Sequence, residues 1–384
     1  MSASPIQRID QPASTEMLNA TPPKEISMQT TTRINSIDAL RGLTVAAMLV
    51  VNDAGDWGHV YPWLEHSDWF GCTLADFIFP FFMLIVGVSI SLALGPKVEA
   101  GGDPTILTRS VLLRGLRIVL LGVCLHVIAS FALQGREFRL LGVLQRIGIC
   151  FSLIGLLAIY VRSARVQWSI FAAILLGYWA LLALSGPLSP DLNLADRIDT
   201  RLLGSLAYLF DPATGKAHDP EGILSTLPAL ATVILGLRAG AWLRAGKIRH
   251  LMLAGIAAIV VGGPWSLTFP LNKQLWTSSF VLWTGGFGML GIALAHYLID
   301  LRGWPAIGRS LGINAIAAYA GSWLATCALE GSGIMQPLYA IFFERPLLPS
   351  FGPFVPSLAF ALAFAAVFWL LMGVFQKRGW RISI

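Results

Sequence analysis

Long apolar runs recur along this chain, and no other feature constrains its fold so tightly. A helix needs about 20 apolar residues to cross a hydrocarbon core of ~30 Å. There every backbone polar group must find its partner inside the protein, which helices do within one segment. Ten runs have suitable length: 36–52, 72–94, 110–133, 140–161, 166–185, 222–245, 249–270, 277–299, 307–328 and 353–376, of which 36–52 is the shortest. Charged residues make up only 12% of the chain, against roughly 25% in soluble domains. That difference excludes a soluble enzyme, a disordered chain and a nucleic-acid binder. The expected fold is an all-α polytopic transmembrane helix bundle of about ten spans.

Residues 1–32 mix Pro, Ser, Thr and Gln without an apolar period and have no signal-peptide core. They are expected to form a flexible tail ahead of one transmembrane domain, 33–384. Most of the 27 Lys and Arg residues fall in that tail, in the connections 94–110, 161–166, 245–249 and 299–307 or beside them, and at the C-terminus. The opposite connections hold Arg136, Arg139, Arg197, Arg201, Lys216, Lys273 and Arg345, and most of the acids. Positive charge collects on the cytoplasmic side of membrane proteins, so both termini are expected there. The long outer segments are then 53–71, 186–221 and 329–352.

Ionisable groups inside a membrane are costly, and each needs an explanation. Arg238 and Arg114 sit near the inner ends of their spans, where a long side chain can snorkel to the headgroups. Arg41 and Arg117 lie deeper and could hold the phosphates of a nucleotide-bearing ligand. Asp38, three residues before Arg41, offers the alternative of an ion pair that ties helices together. Arg146, preceded by Gln145, lies in the outer half of its span, as a partner for Asp76 or as part of a site.

The segment 52–82, NDAGDWGHVYPWLEHSDWFGCTLADFIFPFF, is the richest in chemistry. His66 stands among Glu65, Asp68 and Asp76, with Trp63 and Trp69 beside it. A histidine near carboxylates can act as base or nucleophile near neutral pH. His59 is equally titratable, and position alone does not choose between the two. On the same side, Asp219–Gly222 lead into the sixth span, where Glu221 supplies a carboxylate. Asn272, Lys273 and Trp276 form a very short outer turn, with Lys273 facing substrate or balancing the acidic loops. Asn314 lies within the ninth span, where an amide often joins helices. The four cysteines are isolated and form no CxxC, and no phosphate-loop or zinc-hydrolase motif occurs, so no metal is expected.

Several segments together resemble one family. RINSIDALRGLTVAAMLVVND and HSDWFGCTLADFIFPFFMLIVGVSI are similar to the opening of the heparan-α-glucosaminide N-acetyltransferase family. LLGVLQRIGI, DPEGIL, PLNKQLWTSS and LGINAIAAY follow in the family's order, from about residue 33 to the C-terminus. The chain looks like the shorter bacterial members, which implies a bacterial inner-membrane protein. The resemblance implies an acyltransferase that moves an acetyl group from cytoplasmic acetyl-CoA to the amine of a glucosamine-type sugar on the outer side. The family's histidine falls on His66, which separates it from His59, and the family's asparagine falls on Asn52. Ser67 and Phe70 depart from the family pattern, which points to an altered acceptor rather than heparan sulfate.

On this reading His66 and Asn52 are catalytic, with Asn52 orienting His66 or donating to the oxyanion. Asp76, Glu221, Asn272, Lys273 and Trp276 contact the acceptor. Arg41, Arg117, Gln145, Arg146 and Asn314 contact acetyl-CoA, the co-substrate. The partners are an aminosugar or glucosamine-terminated glycan and membrane lipid, with no nucleic acid; a homodimer is left open. An aminosugar permease or flippase is the alternative, its His–acid cluster coupling protons. Dependence on CoA separates the two.

Overall fold

A computed structural model describes residues 34–382; the expected tail, 1–32, lies outside them. The apolar runs become helices: α1 (Asn35–Asn52), α2 (Leu74–Glu99), α3 (Pro104–Ala132), α4 (Val143–Tyr160) and α5 (Ala164–Leu184). The next segment, expected as a long outer connection, folds into a short helix α6 (Leu194–Leu202) and a hairpin of β1 (Leu209–Asp211) and β2 (Lys216–His218). The strands are antiparallel, pairing Leu209 with His218 and Asp211 with Lys216. Then come α7 (Thr226–Arg244), α8 (Ile248–Trp265), α9 (Ser278–Ala295), α10 (Arg309–Ile313), α11 (Ala315–Gly331), α12 (Met335–Tyr339), α13 (Arg345–Phe351) and α14 (Phe354–Lys377).

Among the described residues, eight helices are long and apolar enough to cross a membrane: α2, α3, α4, α5, α7, α8, α9 with its continuation to Leu301, and α14. The fold is an all-α polytopic bundle. Two of the ten expected spans differ from the simple pattern, each for a local reason. The first, α1, carries Asp38 and Arg41 within its 18 residues. The ninth is broken at Asn314, where the backbone leaves helical geometry and separates α10 from α11.

Burial ranks the helices. The apolar window of α9 is 72% buried and that of α8 only 22%, which places α9 at the centre and α8 on the outside. The tight pair is α2 with α7. A Cβ on Gly87 would collide with the Val233 carbonyl, and one on Gly236 with the Leu84 carbonyl. Small residues allow such close backbone approach, which supports packing where the solvent is itself apolar. This pair matters for the site because α2 and the approach to α7 each bring a carboxylate to one end of the bundle.

Candidate active site

The loop between α1 and α2 ends in a cap. Asp76, in the first turn of α2, has no exposed surface. Its Oδ2 accepts from the Thr73 and Ser67 backbone N–H groups at 3.0 and 3.1 Å and from the Ser67 hydroxyl at 2.9 Å. An acid here suits the positive helix terminus, and the donors fix the carboxylate's orientation. Its other oxygen, Oδ1, lies 2.9 Å from His66 Nδ1. A carboxylate only accepts, so Nδ1 carries a proton, and in the neutral ring Nε2 presents a lone pair. The His66 side chain is 44% exposed. The result is a buried acid holding an open imidazole.

Lys273 arrives from a distant part of the sequence. Its Nζ lies 3.0 Å from both ring nitrogens of His66 and 3.6 Å from Asp76 Oδ1. One atom cannot lie along both in-plane lone pairs, and Nδ1 is already committed to Asp76. This is a close approach of an ammonium to the ring rather than two hydrogen bonds. Burial draws the Lys273 ammonium below its ordinary pKa, and Asp76 and Glu221 oppose that without cancelling it.

The turn that carries Lys273 is rigid. The buried Asn272 accepts from the Leu275 N–H at 2.7 Å. Trp276, with φ 52°, donates from Nε1 to Thr232 Oγ1 at 3.0 Å and packs edge-on against Phe79 and Phe280. Two links bind this turn to the His66 loop: Gly71 N–H to the Leu271 carbonyl at 2.9 Å, and the Gln274 amide to the Asp68 carbonyl at 3.0 Å. Asn272 and Trp276, expected at the acceptor, thus hold the backbone that presents Lys273.

A second cluster lies behind the first. Arg139 donates to Glu221 Oε2 at 2.6 Å and stacks on Tyr208 at 4.8 Å. Burial raises the Glu221 carboxyl, but Arg139 and Arg146 outweigh it and hold the group below its ordinary pKa. Asp219 goes the other way: burial, with Glu221 beside it, pushes its carboxyl up to about 6. Arg146, 1% exposed, donates to Ser225 Oγ at 2.5 Å and the Gly222 carbonyl at 3.3 Å, and lies over the Trp276 ring. The expected alternative of an ion pair with Asp76 is not formed. Gln145 donates to the Leu140 carbonyl at 3.0 Å and pins the turn that carries Arg139.

Other candidates separate. Arg41 donates to Asp38 at 3.0 Å, Ser89 Oγ at 2.7 Å and the Gly312 carbonyl at 3.1 Å. It ties α1 to α2 and α10, the bridging alternative. Arg117 lies on the exposed face of α3. Asn314 is held by the C-terminal segment, accepting from Ile382 N–H at 3.0 Å and donating to the Trp380 carbonyl at 3.3 Å. Asn52 makes no hydrogen bond to His66. It lines a separate cavity of about 220 Å³ with Asp53, Arg136 and Tyr319.

Sequence reasoning missed a histidine clamp in the segment between α5 and α7. His218 Nδ1 is 2.6 Å from Asp196 Oδ1, and Nε2 is 2.5 Å from Gln274 Oε1. Gln274 gives its N–H to the Asp68 carbonyl, so its oxygen must face His218. Burial opposes charge on His218, yet Asp196, Gln274 and Asp219 raise its pKa. Trp69 covers the ring at 5.5 Å. The only sequence signal was Gln274 beside Lys273, since α6 has nine residues and each strand of the hairpin three, too short to stand out in a chain of long apolar runs. Among the described residues no three His, Cys, Asp or Glu side chains gather as metal ligands would.

The site lies within the region that matches a family model described as "Heparan-alpha-glucosaminide N-acetyltransferase, catalytic", which covers residues 33–275. Two similar proteins carry the name heparan-alpha-glucosaminide N-acetyltransferase. The mouse protein is 26% identical over 372 residues, covering 81% of this chain and 56% of its own length. The human protein is 27% identical over 376 residues, covering 81% of this chain and 54% of its own. The chain therefore spans about half the length of the curated relatives it matches.

Proposed function

Because this chain belongs to the heparan-alpha-glucosaminide N-acetyltransferase family, we propose that it is a transmembrane acyltransferase acting at His66. The donor is acetyl-CoA on the cytoplasmic side, and the acceptor is the amine of a glucosamine-type sugar on the far side of a bacterial inner membrane. The Lys and Arg distribution supports that orientation. The observation that carries the reading is the open His66 imidazole, held at Nδ1 by the buried Asp76 with Lys273 beside it.

His66 Nε2 takes a proton from the sugar ammonium, and the freed amine attacks the thioester carbonyl. A C–N bond forms and the C–S bond breaks. The sulfur leaves as thiolate and takes up the proton from the imidazolium, and the second proton, shed by the nitrogen as the amide forms, passes through the freed imidazole to solvent. Asp76 keeps the ring in the required tautomer and stabilises the imidazolium. Lys273 Nζ is positioned to donate to the oxyanion of the tetrahedral intermediate. Asn52 is distant in hydrogen-bonding terms from His66, and its role on this reading lies with the acceptor.

The test is acetyl transfer by the purified protein in detergent, with radiolabelled acetyl-CoA and free glucosamine. Labelled N-acetylglucosamine is expected from the wild type and not from His66→Ala. Full activity in His66→Ala would overturn the assignment of the base. Neither product nor CoA binding in the wild type would overturn the transferase reading in favour of a permease.

A further inference from the structure

The cavity that holds Asn52 is outside the His66 cluster and has no part in the steps above. It opens where the ends of α1 and α3 meet α11, and its volume is about 220 Å³. Sites for drug-sized ligands run to roughly 300–1,000 Å³, so this one suits a single small ring. Its walls combine charge with aromatic surface. Asp53 is 7% exposed, and Thr326 Oγ1 donates to its Oδ1 at 2.7 Å. No hydrogen bond reaches its Oδ2 among the described residues. Glu330 also lines the cavity, as does Arg136, whose guanidinium lies over the Trp323 ring at 4.7 Å.

Two carboxylates against one guanidinium leave the cavity negative, which disfavours phosphate and favours a cation. Aromatic faces beside hydrogen-bonding side chains suit a pyranose, whose C–H face packs on rings while its hydroxyls meet polar groups. The exposed Trp57 supplies such a face, and the Asn52 amide is available for a hydroxyl. Tyr319 lines the cavity and lies within electrostatic reach of both Asp53 and Glu221. Glu221 in turn interacts with Lys273.

We propose that this cavity is a recognition subsite that first receives an amine-bearing pyranose on its way to His66, with Asp53 and Glu330 meeting the ammonium and Trp57 packing on the ring. The inference rests on the reading of the chain as an aminosugar acetyltransferase and names where the acceptor is recognised. Burial pushes the Asp53 carboxyl up to about 7 against the Thr326 hydrogen bond, and Glu330 adds to the rise, so the group carries a proton part of the time at neutral pH. An ammonium replaces that proton.

The experiment is isothermal titration of the purified full chain in detergent with glucosamine, glucose and N-acetylglucosamine. Glucosamine is expected to bind more tightly than the two neutral sugars. Asp53→Asn should weaken glucosamine about tenfold or more, as losing a charged hydrogen-bond acceptor implies, and leave glucose nearly unchanged. Glu330→Gln, at an exposed position, should reduce the same preference by a smaller factor and decides the matter if Asp53→Asn does not fold. Equal affinity for glucosamine and glucose in the wild type, or unchanged glucosamine affinity in the folded variants, overturns the subsite. His66→Ala separates the two ideas: it should bind glucosamine normally while failing to transfer acetyl. Asp53-dependent binding without any acetyl transfer by the wild type sinks the transferase reading and leaves the subsite standing.

Discussion

The His66 and Arg139 clusters are built from the same kinds of group and lie on adjoining loops, but they meet solvent differently. In the first, a fully buried carboxylate holds an imidazole whose side chain is 44% exposed. In the second, Arg139 and Glu221 are 12% and 10% exposed and closed around each other. An open, oriented nitrogen can exchange a proton with a ligand. A closed ion pair has its capacity taken up and serves as a strut between the third-to-fourth helix turn and the approach to α7. Pairing and exposure, rather than residue type, decide which cluster reacts and which supports.

Replacing the open group should abolish chemistry without loosening the fold. His66→Ala is expected to lower kcat by about 10²–10⁴-fold with an unchanged thermal midpoint, checked by turnover and melting of the same preparation. Breaking the closed pair should do the reverse. Glu221→Ala leaves Arg139 and Arg146 buried without their acid, a change that costs about 3–5 kcal/mol in comparable pairs. Thermal unfolding in detergent reads that loss, and an unaltered midpoint would place Glu221 among the reacting groups instead.

The histidine clamp gives a smaller, pH-dependent contrast. His218 has a raised folded pKa, so its contribution is fully present below the unfolded value of about 6.5 and fades as pH rises through the folded one. The difference in melting temperature between wild type and His218→Gln should shrink on going from mildly acidic to alkaline buffer. A difference that stays flat with pH would mean that the clamp works uncharged. Least affected should be the exposed pair of Glu99 and Arg244, held at 2.8 and 2.9 Å. Glu99→Gln is expected to change stability by no more than about 1 kcal/mol, measured by the same melting.

The contrast also explains what the sequence made legible. Apolar runs announce transmembrane helices because hydrocarbon admits few other residues over that length, and they were read nearly to their ends. His66 and Asp76 stand ten residues apart in one motif-like segment, so their kinship could be read too. Their third member could be named but not joined to them: Lys273 lies 207 positions from His66, and no local pattern encodes that distance. Arg139 looked like a loop cation because its acid is 82 residues away. Asn314 could be read as joining helices or as contacting acetyl-CoA, because the C-terminal backbone that it bonds cannot be inferred from an amide alone. Sequence shows which polar groups are costly; only the fold shows which of them have already found a partner.

The most direct measurement uses proteoliposomes with labelled acetyl-CoA sealed inside and glucosamine supplied only outside. Labelled N-acetylglucosamine appearing in the outer medium with wild type, and absent with His66→Ala, is the result this account predicts. Product formed only when both substrates share one compartment would contradict a cytoplasmic donor serving an acceptor across the membrane at His66.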